Sequence, residues 1–90
     1  MKQIEAIVSG KVQGVGFRMY TQKKARQLDV RGYVKNLSNG DVEIVAVGEV
    51  AAVDALIEWA KNGSPSAAVK NIRVKTITDT EDFANFAIRR

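Results

Sequence analysis

Gly10-Lys11-Val12-Gln13-Gly14-Val15-Gly16-Phe17-Arg18 is the stretch of this chain whose residue types and spacing could do chemistry. Its three glycines let the backbone turn tightly with N–H groups pointing inward, which makes a nest for an anion. Arg18 adds a planar, permanently charged fork that can bind phosphate oxygens in pairs. A helix starting near Arg18 would aim the positive end of its dipole into the same concavity. The stretch matches neither the Walker A pattern nor the dinucleotide fingerprint. On its own, such a loop serves equally well as an ordinary tight connection between a strand and a helix.

Charge is distributed in a way that favours an anionic partner at this end of the chain. Of the 14 basic residues, Lys11, Arg18, Lys23, Lys24, Arg26, Arg31 and Lys35 fall between residues 11 and 36, where Asp29 is the only acid. The acids gather at Asp41, Glu43, Glu49, Asp54 and Glu58, and again at Asp79, Glu81 and Asp82, so a positive and a negative side are expected. Lys23, Lys24 and Arg26 read as the solvated face of a helix, and Lys11 and Lys35 as solvated charges.

Cysteine and histidine are both absent, which excludes thiol nucleophiles, disulfides, Cys/His zinc sites and imidazole acid–base chemistry. The acids lie away from the basic loop, so no metal and no cofactor are expected. With 90 residues and 46% apolar content, one domain over residues 1–90 is expected, held by packing alone. No apolar run approaches the roughly 20 residues that span a bilayer. The Met-Lys-Gln-Ile-Glu start lacks the apolar stretch of a signal peptide. The expectation is a cytoplasmic protein with no membrane partner.

Periodicity supplies the elements that must position the loop. Ile4, Ala6 and Val8 alternate, predicting a strand over residues 3–9 that ends at Gly10. Tyr20, Thr21, Lys24, Ala25 and Leu28 recur at helical spacing, predicting a helix from Arg18 to Leu28. With no Gly directly after it, Asp29 must make the turn unless the chain waits for Gly32. Val30–Leu37 and Asp41–Val47 flank Ser38-Asn39-Gly40-Asp41, a hairpin signal. Val53, Leu56, Ile57 and Ala60 predict a second helix over Val50–Asn62, stopped by Gly63 and Pro65. Ile72, Val74 and Ile77 mark a further strand, and Phe86 with Ile88 a short last one. The order is the split β-α-β plan: an α+β sandwich whose antiparallel sheet carries two helices on one face and leaves the other face open. That architecture hosts many functions, so the site must decide.

The nonapeptide from Gly10 to Arg18 resembles the first signature of the acylphosphatase family. Gly32-Tyr33-Val34-Lys35-Asn36, followed by Gly40, Val42 and Gly48, resembles the family's second signature, and Phe86-Ala87-Ile88-Arg89 looks like its usual last strand. The likeness covers essentially the whole chain. One departure is Asp29, where members often carry Gly at the helix end. The resemblance implies a ferredoxin-like fold and hydrolysis of acyl phosphates to a carboxylate and inorganic phosphate. It implies Arg18 as the phosphate-binding residue, Asn36 as the residue that orients the attacking water, and Val12, Gln13, Gly14, Val15, Gly16, Phe17 and Arg18 as the phosphate-binding loop.

The residues suit that chemistry. Phosphoryl transfer needs neutralised equatorial oxygens and an in-line nucleophile, and little else. A neutral Asn can hold a water by its carbonyl but cannot act as a strong base, and no histidine is present to protonate a leaving alkoxide. A carboxylate, whose conjugate acid has a pKa of roughly 4, leaves unaided. The expected partners are therefore a small acyl phosphate, with inorganic phosphate or sulfate as competing anions, handled by a monomer. Nucleic acid is not expected, because Tyr33 is the only evident aromatic between residues 31 and 48 to stack a base. A second rival is a binding domain on the same scaffold, as in a hydrogenase-maturation carbamoyltransferase. Turnover by the isolated chain would exclude it.

Overall fold

A computed structural model describes residues 1–78 and 81–90, so Asp79 of the second acidic group lies outside the described residues. The chain forms β1 (Lys2–Lys11), α1 (Phe17–Gln27), β2 (Arg31–Asn36), β3 (Val42–Gly48), α2 (Val50–Ala60), β4 (Ala68–Thr76) and β5 (Phe86–Arg89). These run in one five-stranded sheet in the order β4-β1-β3-β2-β5. Ile4, Ala6 and Val8 of β1, Val34 of β2, and Val42, Ile44 and Ala46 of β3 face the helices, where they meet Phe17 and Ala25 of α1 and Val53, Leu56 and Ala60 of α2. α1 lies over β2 and β5, and α2 over β1 and β3.

Three features differ from the expectation. β1 does not stop at Gly10. Its register shifts between Ser9 and Gly10, and the strand then pairs on to Lys11 against Ala68. Gly10 takes the positive φ of 117° at the shift.

The sheet is mixed rather than antiparallel, because β5 pairs parallel with β2, placing Phe86 beside Gly32 and Ile88 beside Val34. β4 and β5 lie at opposite edges, so the chain between them must cross the sheet. Its described residues Thr78, Glu81 and Phe83 lie near Glu5, Tyr33 and Val45, on the face away from the helices. That face is consequently covered in part: the Phe83 ring packs at a tilt beside Tyr33, with centroids 6.0 Å apart, and Val45 and Val47 are buried, while Arg73 and Lys75 of β4 stay exposed.

The end of α1 follows the sequence reading. Asp29 takes the left-handed conformation at φ 57°, and the N–H of Val30 returns to the Ala25 carbonyl at 2.9 Å. A non-glycine residue there costs roughly 1–2 kcal/mol. α2 ends at Ala60, and Gly63 at φ 72° closes it with an N–H bond to the Trp59 carbonyl at 2.9 Å.

Candidate active site

Between the end of β1 and the start of α1 the chain curls around a cleft of about 190 Å³ lined by Val12, Gly14, Gly16, Phe17, Arg18, Met19, Asn36 and Ile88. Gly14 and Gly16 stand at φ 73° and 75°, conformations that side chains rarely adopt, and these two glycines make the turn into α1. Gly16 caps the helix without any side-chain bond, and no acid sits in the first turn. The first helical bond runs from the Tyr20 N–H to the Gly16 carbonyl at 3.0 Å, so the N–H groups of Phe17, Arg18 and Met19 have no acceptor within the helix.

Two side chains clamp this loop. Gln13 Nε2 donates to the carbonyl oxygens of Leu37 and Asp41, each at 2.8 Å, tying the loop to the β2–β3 turn directly after Asn36. From the other side the buried Ser64 donates its hydroxyl to the Val15 carbonyl at 2.9 Å. Phe17 lines the cleft but keeps its ring in the core, 1% exposed and 5.7 Å from the Trp59 ring. Burial of that kind is worth about 1.5–3 kcal/mol and fixes the first residue of α1.

Arg18 leaves α1 toward β5 and donates from Nη1 to the carbonyl oxygen of Arg89 at 3.2 Å. One of the five N–H groups of the fork is thereby used for orientation, and the rest are free for an anion. Among the described residues its hydrogen bond is to a carbonyl, and no carboxylate forms an ion pair with it.

Strand alternation puts Asn36 on the face of Val34, toward the helices, at the β2 end that meets the loop. Its Oδ1 is buried and has no hydrogen-bond partner, and among the described residues no other side-chain nitrogen or oxygen is in that state. Such an acceptor costs roughly 1–3 kcal/mol and calls for an explanation.

Of the residues singled out in the sequence, Val12, Gly14, Gly16, Phe17, Arg18 and Asn36 line the cleft. Gln13 and Val15 do not: Gln13 turns its amide to the hairpin, and Val15 packs against the core. Lys35, registered with Glu43 and Arg89, is on the opposite face of the sheet from Asn36. Met19, Ile88 and Ser64 were not anticipated. Only the position of Met19 directly after Arg18, and the alternation of Ile88 with Phe86, could have pointed to the first two. No three acids or other metal-ligating side chains gather together among the described residues.

The uncapped N-terminus of α1 and the Arg18 guanidinium meet at one small cleft, so the protein is of the class of small α+β domains with a site suited in charge to an anion. Comparison with known proteins narrows the class. The Acylphosphatase family model matches residues 4–88. The acylphosphatase of Coxiella burnetii is 51% identical over 86 residues, 96% of this chain and 90% of that protein. The acylphosphatase of Archaeoglobus fulgidus is 44% identical over 98% of each. The crystal structure of acylphosphatase from Bacillus subtilis superposes with a TM-score of 0.95 at 41% identity over 100% of both chains. The chain belongs to the acylphosphatase family, an enzyme family that hydrolyses small-molecule acyl phosphates. No helix among the described residues is long and apolar enough to cross a membrane.

Proposed function

We propose that Arg18 and the loop from Val12 to Phe17 hold the phosphoryl group of the acyl phosphate, and that Asn36 holds the attacking water. The observation that carries this assignment is the buried, unpartnered Oδ1 of Asn36 on the same cleft as the Arg18 fork. An amide oxygen accepts a water O–H and leaves the water's lone pair free to attack phosphorus. The loop N–H groups, the α1 terminus and Arg18 stabilise the charge on the equatorial oxygens as it spreads in the transition state.

The water oxygen bonds to phosphorus as the bond from phosphorus to the acyl oxygen breaks, and that bonding pair leaves on the carboxylate. The products are a carboxylate, inorganic phosphate and a proton released to solvent. The leaving group needs no acid at neutral pH. No step calls on a metal ion, and inorganic phosphate or sulfate competes for the same cradle.

The working unit in this reading is a single domain over residues 1–90 acting as a monomer, whose cleft already brings Arg18 and Asn36 together. Its setting is the cytoplasm, because acyl phosphates carry charge that a bilayer excludes. Hydrolysis of benzoyl phosphate in water enriched in heavy oxygen tests the assignment. The label should enter inorganic phosphate. Label in the benzoate would mean attack at the carbonyl carbon and would overturn the role given to Asn36.

A further inference from the structure

Six large apolar side chains stand well exposed among the described residues: Met1, Met19, Tyr20, Val50, Val74 and Ile88. Scattered singly, such residues carry no meaning. Two of them, however, come from different elements and line the same cleft as Arg18 and Asn36: Met19, 60% exposed on the first turn of α1, and Ile88, 39% exposed on β5. Ile88 is fixed there by its parallel pairing with Val34, one residue before the Arg89 carbonyl that orients Arg18.

We propose that Met19 and Ile88 form the subsite for the acyl group and set a preference for acyl phosphates with an aromatic or branched apolar chain. The inference rests on the placement of the phosphoryl group at Arg18. An acyl phosphate held there must project its carbon chain past the rim of the cleft. The exposed side chains of that rim are a thioether and a branched alkane, and no acidic side chain lines the cleft. A flexible thioether adapts to an aromatic ring and makes favourable sulfur–ring contacts. An acetyl group is too short to profit from either side chain, while a benzoyl group covers apolar surface on both.

The test compares kcat/KM for benzoyl phosphate and acetyl phosphate, with competitive inhibition by inorganic phosphate, in the parent and in Met19→Ser, Met19→Leu and Ile88→Thr. Both sites are on the surface, so the core is untouched. The benzoyl-to-acetyl ratio should fall about fivefold in Met19→Ser and in Ile88→Thr, mainly through KM for benzoyl phosphate, and should be kept in Met19→Leu. An unchanged ratio, with phosphate still competitive, would overturn this inference and leave the phosphoryl site standing. Loss of phosphate competition in the parent itself would overturn both.

Discussion

Arg18 and Arg89 are joined through the 3.2 Å bond from the Arg18 guanidinium to the Arg89 carbonyl, and the Arg89 side chain is held separately on the other face of the sheet. There its guanidinium lies 4.2 Å from the centre of the Tyr33 ring and 3.1 Å from a Glu81 oxygen. The cleft arginine is thus oriented by the last strand, and the last strand is pinned by the chain that crosses the sheet.

That geometry distinguishes charge from fork. Arg18→Ala removes the fixed charge of the cradle, so turnover and phosphate inhibition should both fall by more than about a hundredfold. Arg18→Lys keeps the charge but replaces the planar fork, which spans the Arg89 carbonyl and paired phosphate oxygens, by a compact ammonium on a flexible stem, and should still lose at least about tenfold in kcat/KM. A Lys variant with parental kcat/KM would show that only the charge matters.

Asn36→Ala leaves the cradle intact and frees the water. The turnover number should drop about a hundredfold, while inhibition by inorganic phosphate changes little, the mark of an interaction made in the transition state. The same change deletes a buried acceptor without a partner, so resistance to urea should not decline. A variant that binds phosphate poorly yet turns over normally at saturation would make Asn36 a phosphate ligand instead.

The strap from Gln13 gives a third expectation. Its two bonds to the Leu37 and Asp41 carbonyls are each worth about 0.5–1.5 kcal/mol, so Gln13→Ala should loosen the loop against Asn36 and lower kcat about tenfold. Gln13→Glu should do worse, because it sets a carboxylate against two carbonyl oxygens. Equal kcat in all three proteins would mean that the hairpin and the loop are positioned independently.

Much of this was legible in the residues. The glycine loop, the helix starting beside Arg18 and the hairpin around Asn39-Gly40 are local patterns, and local chemistry decides them. Asp29 at φ 57° was legible as well, because no glycine followed Leu28. The direction of β5 was not, since a four-residue strand has the same period whichever way it runs. Nor was the partial covering of the second face: that follows from β4 and β5 occupying opposite edges, a fact of strand order rather than of spacing. Gln13 looked like a loop residue because the reach of its side chain to residues more than twenty positions away is invisible along the chain. Met19 and Ile88 escaped for the same reason, each unremarkable alone and informative only as neighbours of Arg18.

Metal independence is checked by assay in EDTA. Hydrolysis of benzoyl phosphate should be unchanged by the chelator and by added magnesium, since neutralisation of the phosphoryl oxygens falls to the loop and Arg18. Loss in EDTA that a divalent ion restores would sink the metal-free mechanism.

The last expectation concerns Tyr33, the residue under the Arg89 guanidinium. Its hydroxyl donates to Glu43 Oε1 at 2.9 Å, and its pKa is pushed up to about 12, first by burial and then by that bond and the Glu43 charge. A phenol is neutral when protonated, so a raised folded pKa means that the folded state keeps its proton where the unfolded state, near 10, has lost it. The stabilisation is therefore fully present below pH 10 and is lost as the pH rises toward 12. Tyr33→Phe keeps the ring for Arg89 and Phe83 but has no proton to lose. Measured by urea unfolding, the parent should be the more stable protein at pH 8, and its margin over Tyr33→Phe should shrink between pH 10 and 12. Every other ionisable group is common to both proteins, so its contribution largely cancels in the difference. A margin that stays constant from pH 8 to 12 would mean that in solution the hydroxyl is neither buried nor held by Glu43.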